Sequence, residues 1–156
     1  MSVAYINIGS NQGDSHAVIE QAIALIEFYS RSAAVRSDYI TTAPWGFESQ
    51  NEFQNIGIAI DWDKSPLELL DTLQRIERTI SPSPHRDADG LYIDRVIDID
   101  IIAIDEEIIN TERLTVPHPR MHLREFVLKP MYQIAPGWRH PMLAASPKEL
   151  IERLGC

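Results

Sequence analysis

Two aspartates, Asp98 and Asp100, interrupt the apolar run Val96-Ile97-Asp98-Ile99-Asp100-Ile101-Ile102. Side chains alternate along a strand, so Ile97, Ile99 and Ile101 share one face and both carboxylates share the other. Their Cα atoms then lie roughly 6–7 Å apart. At an effective dielectric near 20 the two charges repel by about 3 kcal/mol. Aspartate is also a poor strand former, so two of them at this spacing call for compensation. Magnesium supplies it: the ion takes one or two carboxylates, keeps waters and fills its shell with substrate phosphates. The competing reading is a sheet with one wet face, where aspartates point to water.

Cations surround this run. Arg86 and Arg95 precede it, and Arg113, His118 and Arg124 follow it. Between Arg113 and Lys129 the bases are Arg113, Arg120, Arg124 and Lys129, against the single acid Glu125. Arginine's planar fork matches phosphate oxygens and stays charged through turnover. The cluster is either a small-polyanion site or a solvated basic face. Phosphoryl-type transfer rests on positioning and charge stabilisation, for which carboxylate-held magnesium plus arginines suffices. No Gly-x-x-x-x-Gly-Lys-Ser/Thr loop occurs, so a nucleotide site here is of another design. His118, between Pro117 and Pro119, is a phosphate donor or a structural histidine. Phe53 and Asn55 share a strand face, a pairing that suits a flat, hydrogen-bonding heterocycle, although core packing is the commoner use of a strand phenylalanine. Thr42-Ala43-Pro44-Trp45-Gly46-Phe47 is a proline-stiffened aromatic loop able to wall such a pocket.

The elements that must position these groups are legible. Residues 3–9 form a strand and run into a turn-rich loop at Gly9-Ser10-Asn11-Gln12-Gly13. Asp14 caps a helix with the stripe Val18, Ile19, Ala22, Leu25 and Ile26. Strands are expected near 34–41 and 53–61. Ser65-Pro66-Leu67-Glu68 reads as a capping box opening a helix to about Thr79, with Leu69, Leu70, Leu73, Ile76 and Ile80 on its stripe. A loop follows to about Gly90, then a strand over 96–103 and a short strand over 106–110 returning beside it. A helix is expected near 121–133, and Ser146-Pro147-Lys148-Glu149 opens a last one. The order predicts an α+β, ferredoxin-like βαββαβ fold: an antiparallel sheet with helices on one face, plus a C-terminal helical extension. One domain over residues 1–156 is expected.

Composition narrows the setting. Net charge is −9, from 14 Lys+Arg and 23 Asp+Glu, which opposes general binding to nucleic acid or anionic membranes. The single cysteine, Cys156, cannot build a disulfide framework, and no apolar run is long enough to span a bilayer. The first residues read as a strand and not as a signal peptide, so a cytoplasmic, monomeric protein is expected.

Taken in order, several segments resemble the 6-hydroxymethyl-7,8-dihydropterin pyrophosphokinase family. They are Ala4-Tyr5-Ile6-Asn7-Ile8-Gly9-Ser10-Asn11, Thr42-Ala43-Pro44-Trp45-Gly46, Phe53-Gln54-Asn55, Gln74-Arg75-Ile76-Glu77, Asp94-Arg95-Val96-Ile97-Asp98-Ile99-Asp100-Ile101, residues 110–118 ending in Arg113-Leu114-Thr115-Val116-Pro117-His118, Arg124-Glu125-Phe126 and Gln133-Ile134-Ala135-Pro136. The resemblance implies transfer of the pyrophosphoryl unit of ATP to the hydroxymethyl group of a reduced pterin, leaving AMP. It implies that Asp98 and Asp100 hold two magnesium ions, with Asp98 also near the pterin. It places Phe53 and Phe126 on the two faces of the ring, with Asn55, Thr42 and Trp45 at its polar edge. Gln74, Ile101, Arg113, Thr115, His118 and Arg124 would contact ATP, and Arg86 and Arg95 would bind ATP and stabilise transferred charge. The stretch His85-Arg86-Asp87-Ala88-Asp89-Gly90-Leu91-Tyr92 departs from the family, which carries more arginines there and a tryptophan near Tyr92. Pro119 stands where many members have an aromatic residue. Two rivals remain open on the residues: a non-catalytic nucleotide- or metal-binding module, and a two-carboxylate phosphoesterase.

Overall fold

The computed structural model describes residues 1–11, 14–42, 52–81 and 97–155. Strand β1 (Ser2–Ser10) lies at the centre of a sheet because both of its faces are buried. It pairs antiparallel with β4 (Phe53–Trp62) on one side and with β5 (Asp98–Ile104) on the other. Two short strands, β2 (Val35–Arg36) and β3 (Ile40–Thr42), both pair with the far edge of β4, giving the order β2-β4-β1-β5 with β3 beside β4. The continuous strand expected over 34–41 is therefore split. Ser37 breaks it by accepting the Gly57 N–H on its hydroxyl while its own N–H donates to the Gly57 carbonyl, each at 2.9 Å.

Alternation sorts β1 into two cores. Ala4, Ile6 and Ile8 join Ile56, Ile58 and Ile60 under α1 (Ser15–Ser30) and α2 (Pro66–Ile80), which contribute Ile19, Ala22, Ile23, Ile26, Leu69, Leu73 and Ile76. Val18, Leu25, Leu70 and Ile80 pack at the rim of this core. Tyr5 faces the other way, with Ile102, Ala103 and the helices α3 (Glu125–Ile134) and α4 (Pro147–Arg153). The expectation of helices on one face thus holds for α1 and α2 only, since the C-terminal extension covers the opposite face. A bulge in the β1–β5 register lets the adjacent residues Ile102 and Ala103 both point into this second core.

Caps set the helix starts. Asp14 accepts from the Ala17 N–H and Ser65 from the Glu68 N–H. The reciprocal capping box closes at Ser146 and Glu149 alone among these; at Ser65 the hydroxyl half forms. Residues 109–110 do not return along β5, contrary to expectation. Asp105, in the left-handed region at φ 48, turns the chain away, with its carbonyl held by the Trp138 indole N–H at 2.6 Å. Strand β6 (Ile109–Asn110) then pairs with β7 (Thr115–Val116). No helix among the described residues is long and apolar enough to cross a membrane.

Candidate active site

Among the described residues, helices roof only part of the second sheet face. Helix α3 lies over β4 because Gly57 leaves room for it: a Cβ there would sit 2.7 Å from Pro130 Cβ. Asn7, a buried amide in an otherwise apolar strand, pins the first turn of the helix by donating to the Phe126 carbonyl at 3.0 Å. One row further along, the register aligns Asn55, Gly9 and Asp98 across β4, β1 and β5. Asp100 lies in the preceding row, beside Asn7. Gly9 makes the centre of the open row a trough, and Asn55 leans into it: a Cβ on Gly9 would meet Asn55 Oδ1 at 2.5 Å. Asn55 is buried, Phe53 and Asp100 half-buried, and Asp98 exposed. Thr42 pairs with Phe53 on the outer strand. Phe126, half-buried in the first turn of α3, stands at the border of this strip with the Arg124 guanidinium 5.7 Å from its ring centre.

The outer edge of β5 is closed by two bonds. The Ile99 N–H donates to the Glu77 carboxylate, and the Ile102 carbonyl accepts from the His118 N–H, each at 2.8 Å. His118 is thereby held beside the carboxylate strand. Burial pushes its imidazole below the ordinary range, Arg124 and Arg120 push the same way, and Asp98 pulls it back up. Its Nδ1 accepts the Arg120 N–H at 3.2 Å, so the neutral ring carries its proton on Nε2. Arg113 is exposed and reaches Asp71 of α2 at 2.6 Å, and Gln74 is exposed on the same helix. Thr115 is half-buried on β7.

These positions separate into two groups. Phe53, Asn55, Thr42 and Phe126 lie on the β4 and α3 side of the trough. Arg113, Thr115, His118 and Arg124 come from the segment that follows β5, with Gln74 on α2. Asp98 and Asp100 lie on β5, and the two groups meet where the Arg124 guanidinium approaches the Phe126 ring. The side chain of Ile101 is buried in the first-face core, so any contact it makes with a nucleotide comes from its backbone. Trp45, Arg86 and Arg95 lie outside the described residues. Reading the sequence assigned no role to Asn7 or Glu77, which respectively anchor α3 and the edge of β5. A lone polar residue between isoleucines was the available signal for Asn7. A cleft of about 590 Å³ lined by Tyr5, Asp105, Glu106 and Trp138 lies at the other end of the second face. Its acids repel phosphate, and it is remote from the aspartate pair.

The residues present fit magnesium. Asp98 and Asp100 offer hard oxygen donors from one strand face, one of them exposed, and magnesium asks for one or two carboxylates with room for water and phosphate. Among the described residues no group of three or more His, Cys, Asp or Glu side chains is placed to enclose a metal.

Comparison with known proteins identifies the family. Residues 5–136 match the family model 7,8-dihydro-6-hydroxymethylpterin-pyrophosphokinase (HPPK). The 2-amino-4-hydroxy-6-hydroxymethyldihydropteridine pyrophosphokinase of Porphyromonas gingivalis is 35% identical over 143 residues, covering 90% of this chain and 95% of that one. The Bacillus subtilis enzyme of the same name is 37% identical over 85% of this chain and 78% of its own. The Haemophilus influenzae enzyme is 38% identical over 86% and 82%. Among solved structures, wild-type Plasmodium falciparum HPPK-DHPS superposes with a TM-score of 0.73 at 14% identity, over 97% of this chain and 41% of that longer one. By sequence over most of its length, this chain belongs to the 7,8-dihydro-6-hydroxymethylpterin-pyrophosphokinase family.

Proposed function

We propose that the open strip of the second face carries out the family's reaction, transfer of the pyrophosphoryl group of ATP to 6-hydroxymethyl-7,8-dihydropterin with release of AMP. The single observation that carries this assignment is the register that sets Asn55, Gly9 and Asp98 in one row across β4, β1 and β5, with Phe53 and Phe126 at its border. Phe53 and Phe126 take the pterin ring between them, while Asn55 and the backbone near Thr42 and Trp45 read its polar edge. Gln74, Arg113, Thr115, His118 and Arg124 hold the nucleotide, with the His118 Nε2–H donating to a phosphate oxygen.

The hydroxymethyl oxygen attacks the β-phosphorus and gives up its proton to solvent, the bond from that phosphorus to the bridging oxygen breaks, and AMP leaves with the bond's electron pair. Asp98 and Asp100 would hold two magnesium ions, which when bound neutralise charge on the phosphate oxygens. Arg86 and Arg95 add cationic charge to the group in flight. The strand order and antiparallel pairing support a ferredoxin-like βαββαβ core. The proposal extends to a single domain over residues 1–156, a monomer and a cytoplasmic setting.

The test is incubation with ATP, magnesium and the hydroxymethyl-dihydropterin while AMP is followed. Pterin-dependent AMP formation is expected. AMP that appears without the pterin, or none at all, would overturn the assignment.

A further inference from the structure

Asn11 carries an anomaly that the reaction as derived leaves unused. It follows Gly9 by two residues at the end of β1, so alternation continues the row Tyr5, Asn7, Gly9, Asn11 along the second face. Extending the β1–β4 register by one step beyond Ser10–Gln54 brings it opposite Phe53. The side chain is buried at 3% exposure, and its Nδ2 is the buried side-chain nitrogen left with no hydrogen-bond partner among the described residues. Asn7 and Asn55, the other buried amides on this face, show the contrast. Asn7 donates to the Phe126 carbonyl, and Asn55 lies across the Gly9 trough. An amide N–H sealed from water without an acceptor is costly, and native proteins keep few of them. A donor held in that condition beside a ligand strip is satisfied when the ligand brings the acceptor.

We propose that Asn11 is a further substrate-recognition residue, whose side-chain amide donates to an acceptor nitrogen or oxygen of the bound pterin. The assignment rests on the pterin lying over Phe53. Phosphate oxygens are the less suitable acceptors, because the extended register sets Asn11 opposite Phe53, a residue of the ring-stacking set. The bond would form only in the complex, so Asn11 contributes to pterin affinity and nothing to the stability of the free protein.

The experiment compares wild type with Asn11→Ala, Asn11→Leu and Phe53→Ala. It reads the Kd for 6-hydroxymethyl-dihydropterin in the presence of a non-hydrolysable ATP analogue, the Kd for that analogue alone, and the Tm of the free protein. Asn11→Leu keeps the branched outline of the side chain and removes the donor, so it stays informative should the alanine variant fold poorly. Both Asn11 variants are expected to weaken pterin binding by roughly tenfold or more, the usual effect of deleting one donor to a buried acceptor. Binding of the analogue is expected to stay unchanged, and Asn11→Leu is expected not to lower the Tm. Unchanged pterin affinity in Asn11→Leu, with affinity lost in Phe53→Ala, would overturn the role of Asn11 and leave the pterin site standing. Unchanged affinity in Phe53→Ala would remove the pterin site itself, and this proposal with it. A Tm loss in Asn11→Leu without loss of pterin affinity would make the residue structural and also sink the proposal.

Discussion

Asp98 and Asp100 matter through their charge, because neither supplies packing that an amide could not. Asn at either position keeps the size and strand preference of Asp and removes the mutual repulsion of the pair. Asp98→Asn and Asp100→Asn are therefore expected to stay folded. Turnover should fall by more than the roughly 10–100-fold that supporting residues around a metal typically contribute. Steady-state kinetics beside thermal unfolding checks both halves, and a stable variant with full turnover would restore the reading of a merely wet strand face. Arg86 is the arginine expected to act on the transferred group. Charge stabilised only in the transition state appears in kcat and not in ground-state affinity. Arg86→Ala should accordingly lower kcat far more than it weakens ATP binding. Unchanged turnover would remove Arg86 from the chemistry.

Two glycines show how elements, and not single groups, build the strip. Both lie on the second face, one on β1 and one on β4, yet alanine meets different obstacles at each. At Gly9 the added Cβ would meet the far end of the Asn55 side chain, which can swing aside. Gly9→Ala should therefore spare most of the stability and raise the KM for the pterin by displacing Asn55. At Gly57 it would meet Pro130, a ring fixed inside α3. Gly57→Ala has to push the helix off the sheet, with an expected loss of roughly 1–3 kcal/mol. Denaturant unfolding paired with pterin kinetics separates the two cases; equal effects on both readouts would contradict this division. The same helix placement explains why the strip stops where it does: Asn7 and Gly57 hold α3 over their row, and the next row is left open.

At the scale of the whole molecule, the C-terminal segment packs Trp138, Ala145 and Leu150 on the second face, and His140 ties the turn within it. Its Nδ1 accepts the N–H groups of Met142 and Leu143 at 3.2 and 3.1 Å. Burial, with His122 nearby, pushes the imidazole below its ordinary range. A depressed histidine is protonated first in the unfolded chain, so its stabilising effect is complete above the ordinary value of about 6.5 and is lost as pH falls below it. Tm is expected to drop between about pH 7.5 and about pH 5.5, and His140→Asn, whose Oδ1 can take the Nδ1 role, should flatten part of that drop. His118, also depressed, leaves a residual slope. Identical pH profiles for the variant and wild type would exclude His140 as a contributor.

Local patterns in the chain determined a good deal by themselves. The alternation around Asp98 and Asp100 placed both carboxylates on one face, and the stripes and caps located α1, α2 and α4, because these depend on neighbours within a few residues. Periodicity could not show that the second face is covered at one end and open at the other. That depends on Gly57 meeting Pro130, 73 residues away by their numbering, and on Asn7 reaching the Phe126 carbonyl. The splitting of the second strand at Ser37, the turning of 109–110 toward β7 and the burial of Ile101 were likewise settled by long-range partners. Residue types and spacing named the chemical groups; only tertiary contacts decided which of them face the same open space.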